Sequence, residues 1–127
     1  THTPVVKFDE VRRPFGSQQI SPFNSQNTFI HKDVLHNYFV LPKIGRMDDI
    51  WGGYILQFYH PDSVIYDKST VYQDRNEQDL VKNLEDEIIG YRNTIKLLRD
   101  ISNYRKYLPD QTIRFIDEYR NEILKWK

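Results

Sequence analysis

Leu80-Val81-Lys82-Asn83-Leu84-Glu85-Asp86-Glu87-Ile88-Ile89-Gly90-Tyr91-Arg92-Asn93-Thr94-Ile95-Lys96-Leu97-Leu98-Arg99-Asp100-Ile101 carries the strongest secondary-structure signal in the chain. Leu80, Leu84, Ile88, Tyr91, Ile95, Leu98 and Ile101 recur at steps of four and three, the period of one α-helical face. That face is the expected core side of a long helix. Asn76, with Asp79 three residues on, resembles a capping box at its start, with Asp in place of the usual Glu or Gln. Further on, Pro109 and Asp110 open a last helix with Ile113, Ile116, Tyr119 and Ile123 on one face. Two successive amphipathic helices predict a helical hairpin over residues 76–127. Between them, Tyr104-Arg105-Lys106-Tyr107 mixes bases and rings as single-strand binders do. Four residues in a neutral chain read better as an interhelical connection with solvated charges.

Upstream of Asn76 the segments are short and broken by proline and glycine. Pro4 to Phe8 reads as a short strand, and Asp9 to Asn27 as a long loop punctuated by Pro14, Gly16 and Pro22. Loops of this length are usually functional or disordered, and Phe15, Ile20 and Phe23 argue for a packed one. Thr28 to His31 suits a short strand, and Asp33 suits the cap of a short helix running to about Tyr38. Gly45-Arg46-Met47 is a turn into a helix from about Asp48, with Ile50, Trp51, Tyr54, Ile55 and Phe58 as its stripe and Pro61 as its stop. Ser63 to Tyr72 gives a broken strand signal.

The chain has 127 residues, the size of one domain. Lys+Arg and Asp+Glu stand at 18 each, so no global field draws it to nucleic acid or an acidic membrane. Zero cysteines exclude disulfides, iron–sulfur clusters and thiolate zinc sites. No apolar run approaches the roughly 20 residues of a membrane span, and the expectation is a soluble protein with the cytoplasm favoured. Nine Tyr, seven Phe and two Trp in a neutral chain indicate a core built around rings rather than disorder. The chain opens at Thr1 and its one methionine is Met47, which points to a piece of a longer polypeptide.

The densest cluster of unusual residues is Gly45-Arg46-Met47-Asp48-Asp49-Ile50-Trp51-Gly52-Gly53-Tyr54. Asp48 and Asp49 sit where a helix begins, about 100° apart around its axis, so they should not share a face. One can cap backbone N–H groups while the other points into a cleft. The helix dipole lowers a carboxyl pKa there, so a general base would need burial or its neighbour to raise it again. The plainer reading is a helix N-terminus with favourable charge placement. Gly52-Gly53 inside a helix costs roughly 1 kcal/mol per glycine relative to alanine, which implies close approach by a packed element or a ligand. Trp51 could stack on a sugar ring or fill the core. Asn24-Ser25-Gln26-Asn27-Thr28, between Phe23 and Phe29, suits recognition of a hydroxyl-rich ligand, or a turn satisfying its own backbone. His31, Asp33 and His36 fit no zinc spacing, so no metal site is expected.

Pro22-Phe23-Asn24-Ser25-Gln26-Asn27-Thr28, followed by Met47-Asp48-Asp49-Ile50-Trp51-Gly52-Gly53-Tyr54, resembles the STELLO-type glycosyltransferase-like family. Val71 to Leu84 is similar to that family's continuation. Asp48 to Gly53 bears a more distant likeness to the reversibly glycosylated polypeptides, the UDP-arabinopyranose mutases. The resemblance covers about residues 14–98.

The expected class is α+β, a loop-rich cleft half with short strands and the helical hairpin over 76–127 packed on it, and the resemblance implies that residues 1–75 are a partial GT-A-like domain. It also implies the acceptor-side portion of a sugar-nucleotide-dependent glycosyltransferase, inactive alone because the nucleotide-binding half is absent. By the likeness, Asp48 or Asp49 is the catalytic base or sugar-binding carboxylate; Asn24, Gln26 and Asn27 line the cleft; Trp51 and Gly52 shape its floor. The family's Asp-x-Asp metal segment has no counterpart here, so no cofactor is expected in this chain, with Mn or Mg belonging to the other half. The implied partners are a nucleotide sugar and a carbohydrate acceptor. The alternatives are a non-catalytic carbohydrate-binding or protein-assembly module, and a homo-oligomer through the C-terminal helices.

Overall fold

A computed structural model describes residues 12–71 and 79–126. The expected strand at Pro4–Phe8, the Asn76 cap and Tyr72 lie outside the described residues. Three α-helices dominate: α1 (Asp48–Tyr59), α2 (Leu80–Arg99) and α3 (Asp110–Leu124). Short 3-10 segments cover Lys32–Asn37, Gly45–Met47 and Ile101–Tyr107. The only sheet among the described residues pairs β1 (Phe15–Gly16) with β2 (Ile65–Tyr66), antiparallel, with Phe15 opposite Tyr66 and Gly16 opposite Ile65. With helices over 58% of the described residues and one two-stranded sheet, the class is α+β only in a loose sense.

The first helix is the hub. Trp51 to Gln57 are buried without interruption, so α1 is enclosed on all sides rather than amphipathic. Its polar member, Gln57, satisfies itself on the backbone of the 12–31 loop. Gln57 Nε2 donates to Ser21 O at 2.7 Å, and Gln57 Oε1 accepts from Ser21 N at 2.9 Å. This clamp holds the loop on α1 without a strand. Tyr66 adds a second clamp by donating to Pro22 O at 2.7 Å. Ile20 and Phe23 pack as expected, while Phe15 stays half-exposed and stacks on Tyr66 with centroids 5.3 Å apart. The strand expected at Thr28–His31 does not form; the segment is irregular and Phe29 projects into solvent.

Both glycines of α1 are explained by packing. A Cβ on Gly52 would lie 2.6 Å from Phe39 O, and one on Gly53 would lie 3.0 Å from the Phe23 ring. The extended Phe39–Leu41 segment therefore lies directly against the α1 backbone. Trp51 fills the core and donates Nε1–H to Thr94 Oγ1 at 2.8 Å, fastening α1 to α2.

Most of the α2 stripe proves to be on the wrong side, and only its last members, Leu98 and Ile101, pack against the core. Thr94 and Leu97 are the buried residues of this helix, whereas Leu80, Leu84, Ile88, Tyr91 and Ile95 are exposed. What draws the inner face in is the close seat of Met47 over Gly90, the Trp51–Thr94 bond, and Arg46 reaching Asn83 Oδ1 at 2.9 Å and Glu87 at 3.5 Å. Asp79 itself caps α2, accepting from Lys82 N at 3.1 Å.

The two C-terminal helices pack mainly on other elements rather than on each other. Helix α3 packs chiefly on the Lys32–Asn37 segment, while α2 packs on Gly45–Met47 and Ile101–Tyr107. The reason lies in α3's polar ties. Thr112 donates to Pro42 O, Tyr119 donates to Leu35 O at 2.8 Å, and Arg120 donates to Asn37 Oδ1 at 3.1 Å. One core cluster draws Phe39, Leu41 and Ile55 together with Leu97, Tyr104 and Ile116, so the described residues of α2 and α3 share the core of the upstream segments. The connection between α2 and α3 is more ordered than a solvated linker. Tyr104 is buried, and Arg105 grips Asp117 with both terminal nitrogens at 2.9 and 3.0 Å.

Several phenols titrate upward in this setting. Burial raises Tyr38, Tyr54, Tyr104 and Tyr119, and the hydrogen bond to Asp100 raises Tyr107. A raised folded pKa favours the protonated native state, so this stabilisation is complete below the free tyrosine value of about 10. It is lost as pH climbs through the folded values. Urea unfolding midpoints should hold from pH 8 to about 9.5 and fall steeply above about 10. A flat midpoint through that range would contradict the assignment.

Candidate functional site

Four elements converge on a cleft of about 620 Å³. The loop contributes Asn24, Ser25 and Gln26, and the start of α1 contributes Asp48 and Asp49. Tyr38 and Arg46 come from the intervening segment, and Glu87 and Tyr91 from α2. The volume lies within the range of small-ligand sites, roughly 300–1,000 Å³.

Asp48 and Asp49 both line this cleft despite lying on different sides of the helix. The cleft sits over the N-terminal end of α1, where residues at any azimuth can reach it. Neither is the N-cap; that position is Met47, which makes no side-chain cap bond. Instead, each carboxylate accepts the next backbone N–H: Asp48 Oδ1 from Asp49 N at 2.7 Å, Asp49 Oδ1 from Ile50 N at 2.9 Å. Their second oxygens differ. Asp49 Oδ2 accepts from Ser25 N at 3.0 Å and from Ser25 Oγ at 3.4 Å, pinning the polar loop to the helix. Asp48 Oδ2 has no hydrogen-bond partner among the described residues. The two adjacent acids therefore divide the work: one holds the wall, the other offers a carboxylate oxygen left open by the described residues.

Of the residues singled out in the sequence, Asn24, Gln26, Asp48 and Asp49 meet in this cleft. Asn27 stands outside it, accepting from Thr70 Oγ1 at 3.1 Å. Trp51 and Gly52 face the core and Phe39 and do not form the floor. Sequence reasoning missed Tyr38, Arg46, Glu87 and Tyr91. Burial, reinforced by the Asp49 and Asp48 charges, raises the Tyr38 phenol, which keeps it a proton donor at neutral pH. Arg46 is shared between Asn83 and Glu87, so the cleft's cation is already engaged at its α2 edge.

The His31, Asp33 and His36 group disperses. His31 Nδ1 accepts from Asp33 N at 3.2 Å and caps the 32–37 segment, while His36 turns to Asn37. No group of three His, Asp or Glu side chains among the described residues is placed to hold a metal ion. No helix among them is long and apolar enough to cross a membrane.

The loop–helix pin can be measured. Asp49→Ala removes a charge-assisted bond to the Ser25 backbone and should lower unfolding stability by about 1 kcal/mol. Amide exchange at Ser25 should accelerate in the same variant. Unchanged exchange there would show that the loop is held by other contacts.

No protein-family model matches this chain, and no curated protein and no solved structure matches it.

Proposed function

We propose that this chain is the acceptor-side portion of a sugar-nucleotide-dependent glycosyltransferase, with a partial GT-A-like architecture, and that it is inactive alone. The observation that carries the reading is the single cleft joining Asn24 and Gln26 to Asp48 and Asp49, the two segments on which the family resemblance rests. Amides suit a sugar because each presents a donor and an acceptor at fixed geometry. Asp48, with its open Oδ2, is the carboxylate that accepts the proton of an acceptor hydroxyl or holds a sugar hydroxyl. Asp49 is a positioning residue that acts through Ser25. The Tyr38 phenol supplies a neutral donor on the opposite wall. Tyr91 offers a ring face at the α2 edge, the role the sequence had given to Trp51.

A second reading, a non-catalytic carbohydrate-binding module, is favoured by one feature: both aspartates already accept backbone N–H groups. Asp48→Asn separates the two. Sugar titrations of the 127-residue chain, followed by amide NMR shifts, should perturb Asn24 to Gln26 and the first turn of α1. Under the transferase reading, Asp48→Asn in the complete polypeptide lowers transfer about a hundredfold or more while sugar binding changes little. Loss of binding without any measurable transfer in the parent would favour the module. Transfer unaffected by Asp48→Asn would overturn the catalytic assignment.

A further inference from the structure

We infer that the outer face of α2 is an antiparallel self-association seam, so that the partner is a second copy of this chain. This goes beyond the sugar-site reading and stands without it. Val81, Leu84, Ile88, Tyr91 and Ile95 are 68, 56, 42, 59 and 54% exposed, and Leu98 continues the row at partial burial. Their steps of three, four, three, four and three are an a/d heptad pattern. Apart from Leu98, which also packs against the core, the stripe is separate from the inner face that carries Gly90, Thr94 and Leu97. Soluble chains rarely leave a contiguous apolar strip of this kind uncovered.

Flanking charges say what covers it. In an antiparallel pair centred between Ile88 and Tyr91, each a-position meets a d-position of the other copy: Val81 opposite Leu98, Leu84 opposite Ile95, Ile88 opposite Tyr91. Two charged positions on the outer flank of this seam are Glu85 and Arg92. Both are exposed, and neither has an ion-pair partner among the described residues. Antiparallel alignment brings Glu85 of each copy beside Arg92 of the other, two symmetric opposite-charge pairs across one two-fold axis. Parallel alignment would leave Glu85 beside Leu80 and would send Arg92 to Glu87, which already binds Arg46 at 3.5 Å. The charge pattern therefore selects the antiparallel form. Eighteen residues make about two and a half heptads, short for a free coiled coil. Here the protomer body preforms the helix through its inner face.

Tyr91 belongs both to this seam and to the cleft, so the second copy sits at the cleft's rim. Association and occupancy of the cleft are coupled through that ring.

Sedimentation equilibrium across a range of concentrations is the test. The wild-type chain should show a monomer–dimer equilibrium with a dissociation constant of micromolar order. Ile88→Glu, an exposed site that leaves the core untouched, should weaken association about tenfold or more with an unchanged circular dichroism spectrum. Glu85→Arg and Arg92→Glu should each weaken it by setting like charges opposite. An equimolar mixture of those two variants should recover a heterodimer, because both cross-pairs then become complementary. A chain that stays monomeric to about 1 mM overturns the inference, since its association would then be at least about a thousandfold weaker than expected. So does a dimer indifferent to Ile88→Glu, or one in which mixing the charge variants restores nothing.

Discussion

Gly52→Ala is expected to destabilise the chain by about 2 kcal/mol, against the ordinary trend for a helical glycine. Alanine in a helix interior gains about 1 kcal/mol over glycine through backbone entropy alone. At Gly52 the new Cβ would lie 2.6 Å from Phe39 O, a backbone atom of a residue only 1% exposed. Relief requires the Phe39–Leu41 segment to move away from α1, and that segment also supplies Leu41 to the core. Overpacking of this kind costs roughly 1–3 kcal/mol and sometimes more, which outweighs the propensity gain. Gly52→Val should prevent folding. Gly53→Ala is the internal comparison: its Cβ meets the Phe23 ring at 3.0 Å, and a side chain at the edge of the fold can give way. That variant should lie within about 1 kcal/mol of wild type, because the clash and the propensity gain nearly offset. Thermal unfolding of the two variants side by side decides the matter. Equal melting temperatures would mean that the Phe39 backbone yields as easily as a ring.

How far the sequence could be read depended on whether the relevant interaction was local. The start of α1 at Asp48, its end before Pro61 and the opening of α3 at Asp110 all follow from punctuation within a few residues. Gly52-Gly53 announced close packing, and the core received it. The α2 helix was equally legible as a helix, but its orientation was not. A period shows which residues share a face; it does not show which face the rest of the chain covers. Here the covered face is chosen by small and polar residues. Gly90 admits Met47, Thr94 accepts from Trp51, and Asn83 and Glu87 receive Arg46. None of these has a hydrophobic signature.

The cleft divides in the same way. Asn24, Gln26, Asp48 and Asp49 stand out because polar residues beside rings, or paired at a helix start, are locally unusual. Tyr38, Arg46, Glu87 and Tyr91 are ordinary in their own neighbourhoods. Glu87 and Tyr91 reach it because the Trp51–Thr94 and Arg46–Glu87 contacts bring α2 against the start of α1, while Tyr38 and Arg46 come from the segment that precedes α1. No local pattern encodes a wall assembled from segments about forty residues apart. The division of roles between Asp48 and Asp49 has the same origin, since it depends on where Ser25 lands.

Asn37→Ala should cost about 3 kcal/mol, the largest loss expected from removing one polar side chain here. Asn37 is 7% exposed and stands at the junction of three elements. Its Nδ2 lies 3.2 Å from His36 Nε2 and 3.0 Å from His60 Nε2, and its Oδ1 accepts from Arg120 at 3.1 Å. An amide nitrogen has two hydrogens, so serving both rings requires each Nε2 to be an acceptor. Each ring then carries its proton on Nδ1. The amide thereby fixes the histidine tautomers while its oxygen anchors α3 through Arg120. The guanidinium is layered between the Phe39 and Tyr59 rings, 5.1 and 5.3 Å from their centroids. Its Nε is buried without a hydrogen-bond partner among the described residues. Deleting Asn37 therefore leaves a half-buried cation with one bond fewer and takes the amide donor away from both rings, so the cost exceeds that of an average hydrogen bond. A double-mutant cycle with Arg120→Met isolates the shared part. If the Asn37–Arg120 bond carries the coupling, the double variant should be more stable than the sum of the single losses predicts, by about 1–2 kcal/mol. Simple additivity would show that Asn37 acts through the histidines alone and that the rings suffice to hold Arg120.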